Sequence, residues 1–176
     1  MRRRHLLVLA GLSAAIGDRA GAEILEYKSN AEYAGAVAVV PWIAMGALSR
    51  LAAFCKRSYP DLSPRFEAKF SRWRDRHAGY LALSKHFHGV LTGIVKDPAT
   101  AETARSGLKT MLEVTALRAI SQTAETYITS VTSVKAIGRD RDMMSELTDA
   151  LAAGRMDLIH RHPDLVAFMD KLLAEK

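Results

Sequence analysis

The chain has 176 residues, of which 49% are hydrophobic and 25% are charged, so it is long enough for a domain with a proper core and is not disordered in composition. Its single cysteine, Cys55, excludes an intramolecular disulfide. The formal net charge of +6 is weak evidence for a nucleic-acid partner, because four of the basic residues lie within the first 22 positions.

The first 22 residues have the parts of a secretory signal in the usual order. Arginines at positions 2–4 precede an apolar run, Leu6–Ile16, and the small residues at 20–22 offer a cleavage site before Glu23. The run is too short to span a bilayer. The sequence therefore predicts a cleavable signal peptide over 1–22 and a single helical domain over 23–176. The mature protein, periplasmic or secreted, keeps 21 basic and 18 acidic side chains.

Two alternatives stay open for this first segment. The run Arg3-Arg4-His5-Leu6-Leu7 resembles a degenerate twin-arginine core, which would change the export route. Alternatively, residues 5–17 form the first helix of a cytoplasmic protein, and the chain then retains its full charge of +6.

Residues 33–49 contain no charged side chain, and Pro41 interrupts them. Because proline breaks a helix interior, we predict a short apolar lead-in that ends at Val40 and a helix that begins at Pro41. Apolar positions from Trp42 to Cys55 recur at helical spacing, which predicts a buried, inert thiol. The alternatives are a membrane anchor over 33–49 and, after export, an intermolecular disulfide through Cys55.

A single long helix is predicted from about Pro64 to about Lys96, and the rest of the chain is expected to be organised around it. Ser63-Pro64 supplies a start signal and Asp97-Pro98 a stop. Gly79 lies inside the helix, and because the apolar periodicity keeps its phase on both sides, we predict a bend there rather than a break. The stripe recurs in steps of four and three and consists of Phe66, Phe70, Trp73, His77, Tyr80, Ser84, Phe87, Leu91 and Ile94.

A second long helical segment follows residue 98 and runs to about Ile137, where Gly138 ends it. Its apolar stripe changes phase near Met111–Leu117. Its last third is rich in β-branched side chains, but Tyr127, Val131 and Val134 step by four and three, which favours a helix over a strand.

Two shorter helices complete the predicted fold. One spans Met143–Ala153 and is capped by Gly154, and the last begins at Pro163. No segment has a pattern that clearly indicates a strand. The expected fold class is therefore all-α, an irregular bundle of about five helices built on two long antiparallel helices.

The six histidines invite a metal hypothesis, which their spacing does not favour. His86 and His88 point to different sides of a helix, and the carboxylate-histidine pair of Asp157 and His160 has no second copy. The sequence also lacks paired cysteines for haem, a glycine-rich phosphate loop and a Gly-x-Ser-x-Gly motif. We predict no metal, no cofactor and no catalytic residue, so enzyme activity has no positive support.

The most specific surface feature is a row of basic residues along one flank of the first long helix. Arg65, Lys69, Arg72 and Arg76 step by four, three and four, one position behind the aromatic stripe. Such a row would bind anionic lipid headgroups, a polyanionic envelope polymer or, in a cytoplasmic protein, nucleic acid. The alternative is a solvated face whose arginine stems cover the aromatic side chains.

One pattern in the sequence is shared with a known group of proteins. It consists of Trp42–Leu48, Cys55, Tyr59, Pro60, Leu62, Trp73 and Arg76. In this pattern the chain resembles small, helical, exported proteins of Gram-negative bacteria that have no assigned function. The resemblance implies export and helicity, and it brings no catalytic residue.

Together these features predict an exported helical protein of the bacterial envelope with a binding or structural role. Its partner would be an anionic lipid or polymer on the basic helix face, and a homodimer is a further state to consider. The alternative function is a cytoplasmic helical module that binds nucleic acid or another protein.

Overall fold

The computed structural model describes residues 27–175, so the predicted signal peptide and its cleavage site lie outside the described residues. Residues 27–175 are helical and include no strand, which confirms the all-α class. The helices are α1 Asn30–Ser58, α2 Ser63–Arg76, α3 Ala78–Lys96, α4 Glu102–Lys109, α5 Ala116–Thr132, α6 Asp140–Ala152 and α7 Pro163–Ala174. A π-helical turn, Thr110–Thr115, joins α4 to α5, and 3₁₀ turns at Lys135–Ile137 and Leu158–His160 precede α6 and α7.

Helix α1 runs without interruption through Pro41, so the predicted division into a lead-in and a helix is wrong. The helix begins earlier than predicted because Ser29 caps it, its side chain accepting a hydrogen bond from the backbone N–H of Glu32. Proline removes one backbone hydrogen bond from the helix interior. Burial of residues 35–39 and of Pro41 itself offsets that loss, since these residues pack against neighbouring helices on several sides.

Helix α1 is the centre of the bundle, because residues from it belong to all three apolar clusters of the described chain. Its C-terminal half packs with α2 and α6 and includes Cys55, which is fully buried. Burial raises the pKa of that thiol, and the predicted burial of Cys55 is confirmed. The expectation that the chain is organised around residues 64–96 is therefore replaced by an organisation around α1.

Among residues 27–175, one helix is long and apolar enough to cross a membrane, and it is α1. In its most apolar window of 18 residues, 39% of the residues are buried inside the protein. The central helix of a soluble domain and a signal sequence satisfy the same criteria of length and composition.

The predicted helix over 64–96 is two helices, divided at His77. His77 has φ −102° and ψ 10°, outside the helical region, and contacts with a distant segment hold its ring in place. Gly79 is not the point of division: a Cβ atom there would lie 3.0 Å from Leu173 Cδ1, so the glycine allows α7 to approach α3. The arrangement of two long antiparallel helices is accordingly not confirmed.

The second long segment is helical from Glu102 to Thr132, so it ends before the predicted Ile137, and residues Lys135–Ile137 form a separate 3₁₀ turn. The predicted change of phase has a structural cause. The π-helical turn Thr110–Thr115 has more residues per turn than an α-helix, so the apolar stripe shifts round the helix at that point. Gly138 and Gly154 follow with φ of 72° and 76°, left-handed values that glycine adopts readily and that end the preceding helical turns.

A candidate binding surface on helix α2

Helix α2 presents its aromatic stripe to the bundle and its basic residues to one flank. Phe66, Phe70 and Trp73 are buried against α1 and α6. Burial of this stripe orients the helix, so residues one position earlier lie together on one flank of α2. Arg65, Lys69, Arg72 and Arg76, which the sequence pattern predicts as a binding row, all lie on this helix.

The two outer members of the row form ion pairs within the protein. Arg65 Nη2 lies 2.5 Å from Asp149 Oδ1 on α6, and both side chains are more than half exposed. Arg76 donates two hydrogen bonds to Asp157, at 2.9 and 3.1 Å, and a third to the carbonyl oxygen of Leu151 at 3.1 Å. Both arginines therefore connect α2 to α6 and to the chain that follows it.

The two inner members, Lys69 and Arg72, have no ion pair within 4.0 Å among residues 27–175. Lys69 is half-buried and Arg72 is exposed. Arg74 lies on another side of α2, with its guanidinium 5.1 Å from the centre of the Phe70 ring. The centre of the row thus retains positive charge that no carboxylate of residues 27–175 approaches within 4.0 Å.

A concavity of about 330 Å³ opens at the C-terminal end of the row. Its polar part is the ion pair of Arg76 and Asp157, together with His77 and Tyr80. Tyr80 donates a hydrogen bond to Asp170 at 2.7 Å. Burial, followed by that hydrogen bond, raises the pKa of Tyr80 to about 12, so its hydroxyl is protonated at neutral pH. The apolar walls are Ile159 and Val166.

His77 is buried, and both of its ring nitrogens are used inside the protein. Nδ1 donates to the carbonyl oxygen of Trp73 at 2.8 Å, and Nε2 accepts from the backbone N–H of Leu158 at 3.3 Å. This pair of bonds requires the neutral tautomer with the proton on Nδ1. The ring also stacks on Trp73, with 4.2 Å between ring centres. The geometry thus makes His77 a cross-link between α2 and the 158–160 turn, with no nitrogen left to act as a base.

Comparison with protein-family models, with curated protein sequences and with solved structures gives no match. Function is therefore inferred from the geometry of the chain itself.

The residues that sequence analysis considered for a metal do not come together. No group of three or more His, Cys, Asp or Glu side chains within residues 27–175 could hold an ion. Asp157, considered with His160 as half of a metal site, pairs instead with Arg76, while His160 is exposed.

Sequence analysis missed Asp149 altogether, and it missed the ion pair of Asp157 with Arg76. Each aspartate lies more than 80 positions from its arginine, so spacing along the chain offers no signal for the pairing. A weaker signal was present: Asp149 follows buried Thr148 on α6, on the edge of the face that packs against α2. Only the fold brings these carboxylates beside the basic row.

Proposed function

We propose that the protein is an exported, non-catalytic component of the bacterial envelope that binds a densely anionic partner through the centre of the basic row on α2. The partner class is an anionic lipid surface or a polyanionic envelope polymer, which share closely spaced negative charges. In the proposed form, residues 1–22 are removed as a signal peptide before the protein acts.

One observation carries the proposal: Lys69 and Arg72 lack an ion-pair partner among residues 27–175, although the same flank of α2 supplies two paired arginines. Unpaired cations on a rigid, well-packed helix attract anions at little conformational cost, because the helix does not rearrange. Arg65 contributes less, because Asp149 already neutralises much of its charge.

The test uses vesicles of phosphatidylglycerol, with phosphatidylcholine vesicles as the neutral comparison. We expect binding to phosphatidylglycerol that weakens steeply with added salt, and little binding to phosphatidylcholine. Replacing both inner cations, Lys69→Gln with Arg72→Gln, should weaken binding about 30-fold, since each basic residue at an anionic surface contributes about 1 kcal/mol.

The matched control removes two exposed charges elsewhere, Lys109→Gln with Arg118→Gln, and keeps the same net charge as the test variant. Equal weakening by both pairs would show a response to net charge alone and would contradict a site on α2. Tighter binding to duplex DNA than to vesicles, at equal salt, would favour the cytoplasmic alternative.

Export is tested separately, by the intact mass of the protein from periplasmic and cytoplasmic fractions. A periplasmic species that begins at or near Glu23 supports the proposed location. A full-length cytoplasmic species contradicts it, and the partner of the basic row would then be an intracellular anion.

A further inference from the structure

The outer face of helix α3 is a second surface, separate from the basic row. The inner side of α3 is anchored by Leu83 and Ser84, and the Ser84 hydroxyl donates to the carbonyl oxygen of Ala38 at 2.8 Å. The opposite side has no neighbour within the described chain over most of its length. It is formed by Ala82, Lys85, His86, Gly89, Val90, Gly93 and Ile94.

This face is apolar and shallow. The surface beside Gly89 and Val90 is an open, nearly flat concavity of about 590 Å³. A Cβ atom built on Gly89 or on Gly93 meets no other atom within 4 Å. Val90 and Ile94 are 48% and 38% exposed, which places two large aliphatic side chains at the edge of a glycine surface. Neither glycine is needed for the fold of the monomer, since each costs about 1 kcal/mol relative to alanine in a helix.

Two of the charges that flank the face, Lys85 and Asp97, are complementary to each other across a two-fold axis. Lys85 and Asp97 lie six residues to either side of position 91, and neither forms an ion pair with another side chain of residues 27–175. Asp97 directly follows the last residue of α3, and its Oδ1 accepts a hydrogen bond from the backbone N–H of Ala99 at 2.9 Å, which leaves Oδ2 for a partner. In a two-fold antiparallel pairing of α3 centred on that position, Gly89 faces Gly93 of the other copy and Lys85 faces Asp97. The two-fold rotation repeats both contacts, so the two copies form two glycine contacts and two ion pairs.

We propose that the outer face of α3 binds a second copy of this chain, in an antiparallel helix pair centred between Gly89 and Gly93. Glycine lets two helices approach closely, Val90 and Ile94 are removed from water, and Lys85 meets Asp97 across the axis. A contact made by one helix from each copy is at the small end of stable interfaces, so the dissociation constant is expected on the order of micromolar.

The first experiment adds bulky side chains to the centre of this face. Gly89→Leu with Gly93→Leu should abolish dimerisation in sedimentation equilibrium of the full chain across a range of concentrations. The monomer should fold and melt at a higher temperature, because leucine favours helix more than glycine does and has room at both positions. The matched control introduces two leucines at exposed positions of other helices, Ala68→Leu with Ala167→Leu, and should leave the dimer unchanged.

The second experiment exchanges the charges. Lys85→Asp alone and Asp97→Lys alone should each weaken the dimer about tenfold, because each replaces two attractions by two repulsions. The double variant, Lys85→Asp with Asp97→Lys, should restore the affinity of the native chain. A native chain that stays monomeric to its solubility limit overturns the proposal. So does a dimer that survives the leucine substitutions, or one that the double exchange fails to restore.

Discussion

The two halves of what sequence analysis predicts as one helix differ in how much of their apolar stripe is covered. In α2, Phe66, Phe70 and Trp73 are all buried. In α3, Phe87 and Leu91 from the same stripe are only half-buried. The periodicity is the same in both halves, but α2 lies between α1 and α6, whereas the second half of α3 contacts α1 and α4 on one side. A periodic stripe thus indicates which face turns inward, and the placement of the neighbouring helices, on both sides of α2 but on one side of α3, decides how far the stripe is buried.

The largest expected effect comes from truncating the centre of the covered half. Trp73→Ala should lower the free energy of unfolding by about 3–5 kcal/mol, because it opens a cavity in a filled core. It also removes the hydrogen bond from Trp73 Nε1 to the carbonyl oxygen of Met156 at 3.2 Å. Leu91→Ala in the other half should cost about 1–2 kcal/mol, since part of that side chain is already in water. Urea denaturation of both variants measures the difference, and equal losses would contradict the comparison.

The next effect concerns α7, which covers the beginning of α3. His162 precedes α7, and burial, followed by the charge of Arg161, lowers its pKa to about 4. In the unfolded chain His162 has a pKa near 6.5. Between about pH 6.5 and pH 4, His162 is therefore protonated in the unfolded chain and neutral in the folded chain. Stability should fall as pH decreases through that window, by on the order of 2–3 kcal/mol, and should not fall further on this account below pH 4.

Urea denaturation from pH 7 to pH 4 of the native chain and of His162→Gln measures this effect. The glutamine side chain does not titrate, so the variant should lose that part of the pH dependence whatever its stability at pH 7. An unchanged slope would show that another group controls the acid response. Hydrogen exchange should locate the loss at α7 and at the Tyr80 end of α3, with α2 affected less.

Much of the fold follows from local patterns in the sequence. Gly154 and Pro163 are strong local signals, and each lies at the boundary that the pattern predicts. Gly138 ends the 3₁₀ turn Lys135–Ile137, whereas α5 already ends at Thr132. Pro41 and His77 are the exceptions, for opposite reasons. Helix α1 continues through Pro41, a residue that usually breaks a helix, because the surrounding residues pack on several sides. Helix α2 ends at His77, although the periodicity continues, because His77 forms a hydrogen bond with a distant segment.

The candidate surface was predictable in part, because a basic row on one flank depends on spacing along a single helix. Spacing along α2 does not indicate which other helix packs beside the basic row. The division of the row into paired and unpaired cations depends on where α6 places Asp149 and on where the following segment places Asp157. The open face of α3 is likewise a property of the assembled bundle, since glycines within a helix carry no local sign of whether another helix covers them.

The smallest expected losses of stability come from weakening the ion pairs of the two outer arginines of α2. Asp157→Asn should cost about 1–2 kcal/mol, because it weakens two hydrogen bonds to a carboxylate that is 17% exposed, with some loss to solvent screening at Arg76. Asp149→Asn should cost less than about 0.5 kcal/mol, because both members of that pair are more than half exposed. Urea denaturation at low salt compares the two, and the reverse order would show that exposure does not rank these pairs.

The second substitution also bears on the proposed function, because it releases Arg65 without removing it. With Asp149 neutral, three adjacent cations of the basic row lack a partner among the described residues, and binding to phosphatidylglycerol vesicles should strengthen a few-fold while stability barely changes. Glu125→Gln, on an exposed position of α5, makes the same change in net charge away from α2 and should have a smaller effect. A gain at position 149 that the control matches would mean that the vesicle senses overall charge, whereas a gain confined to position 149 identifies the α2 flank as the binding surface.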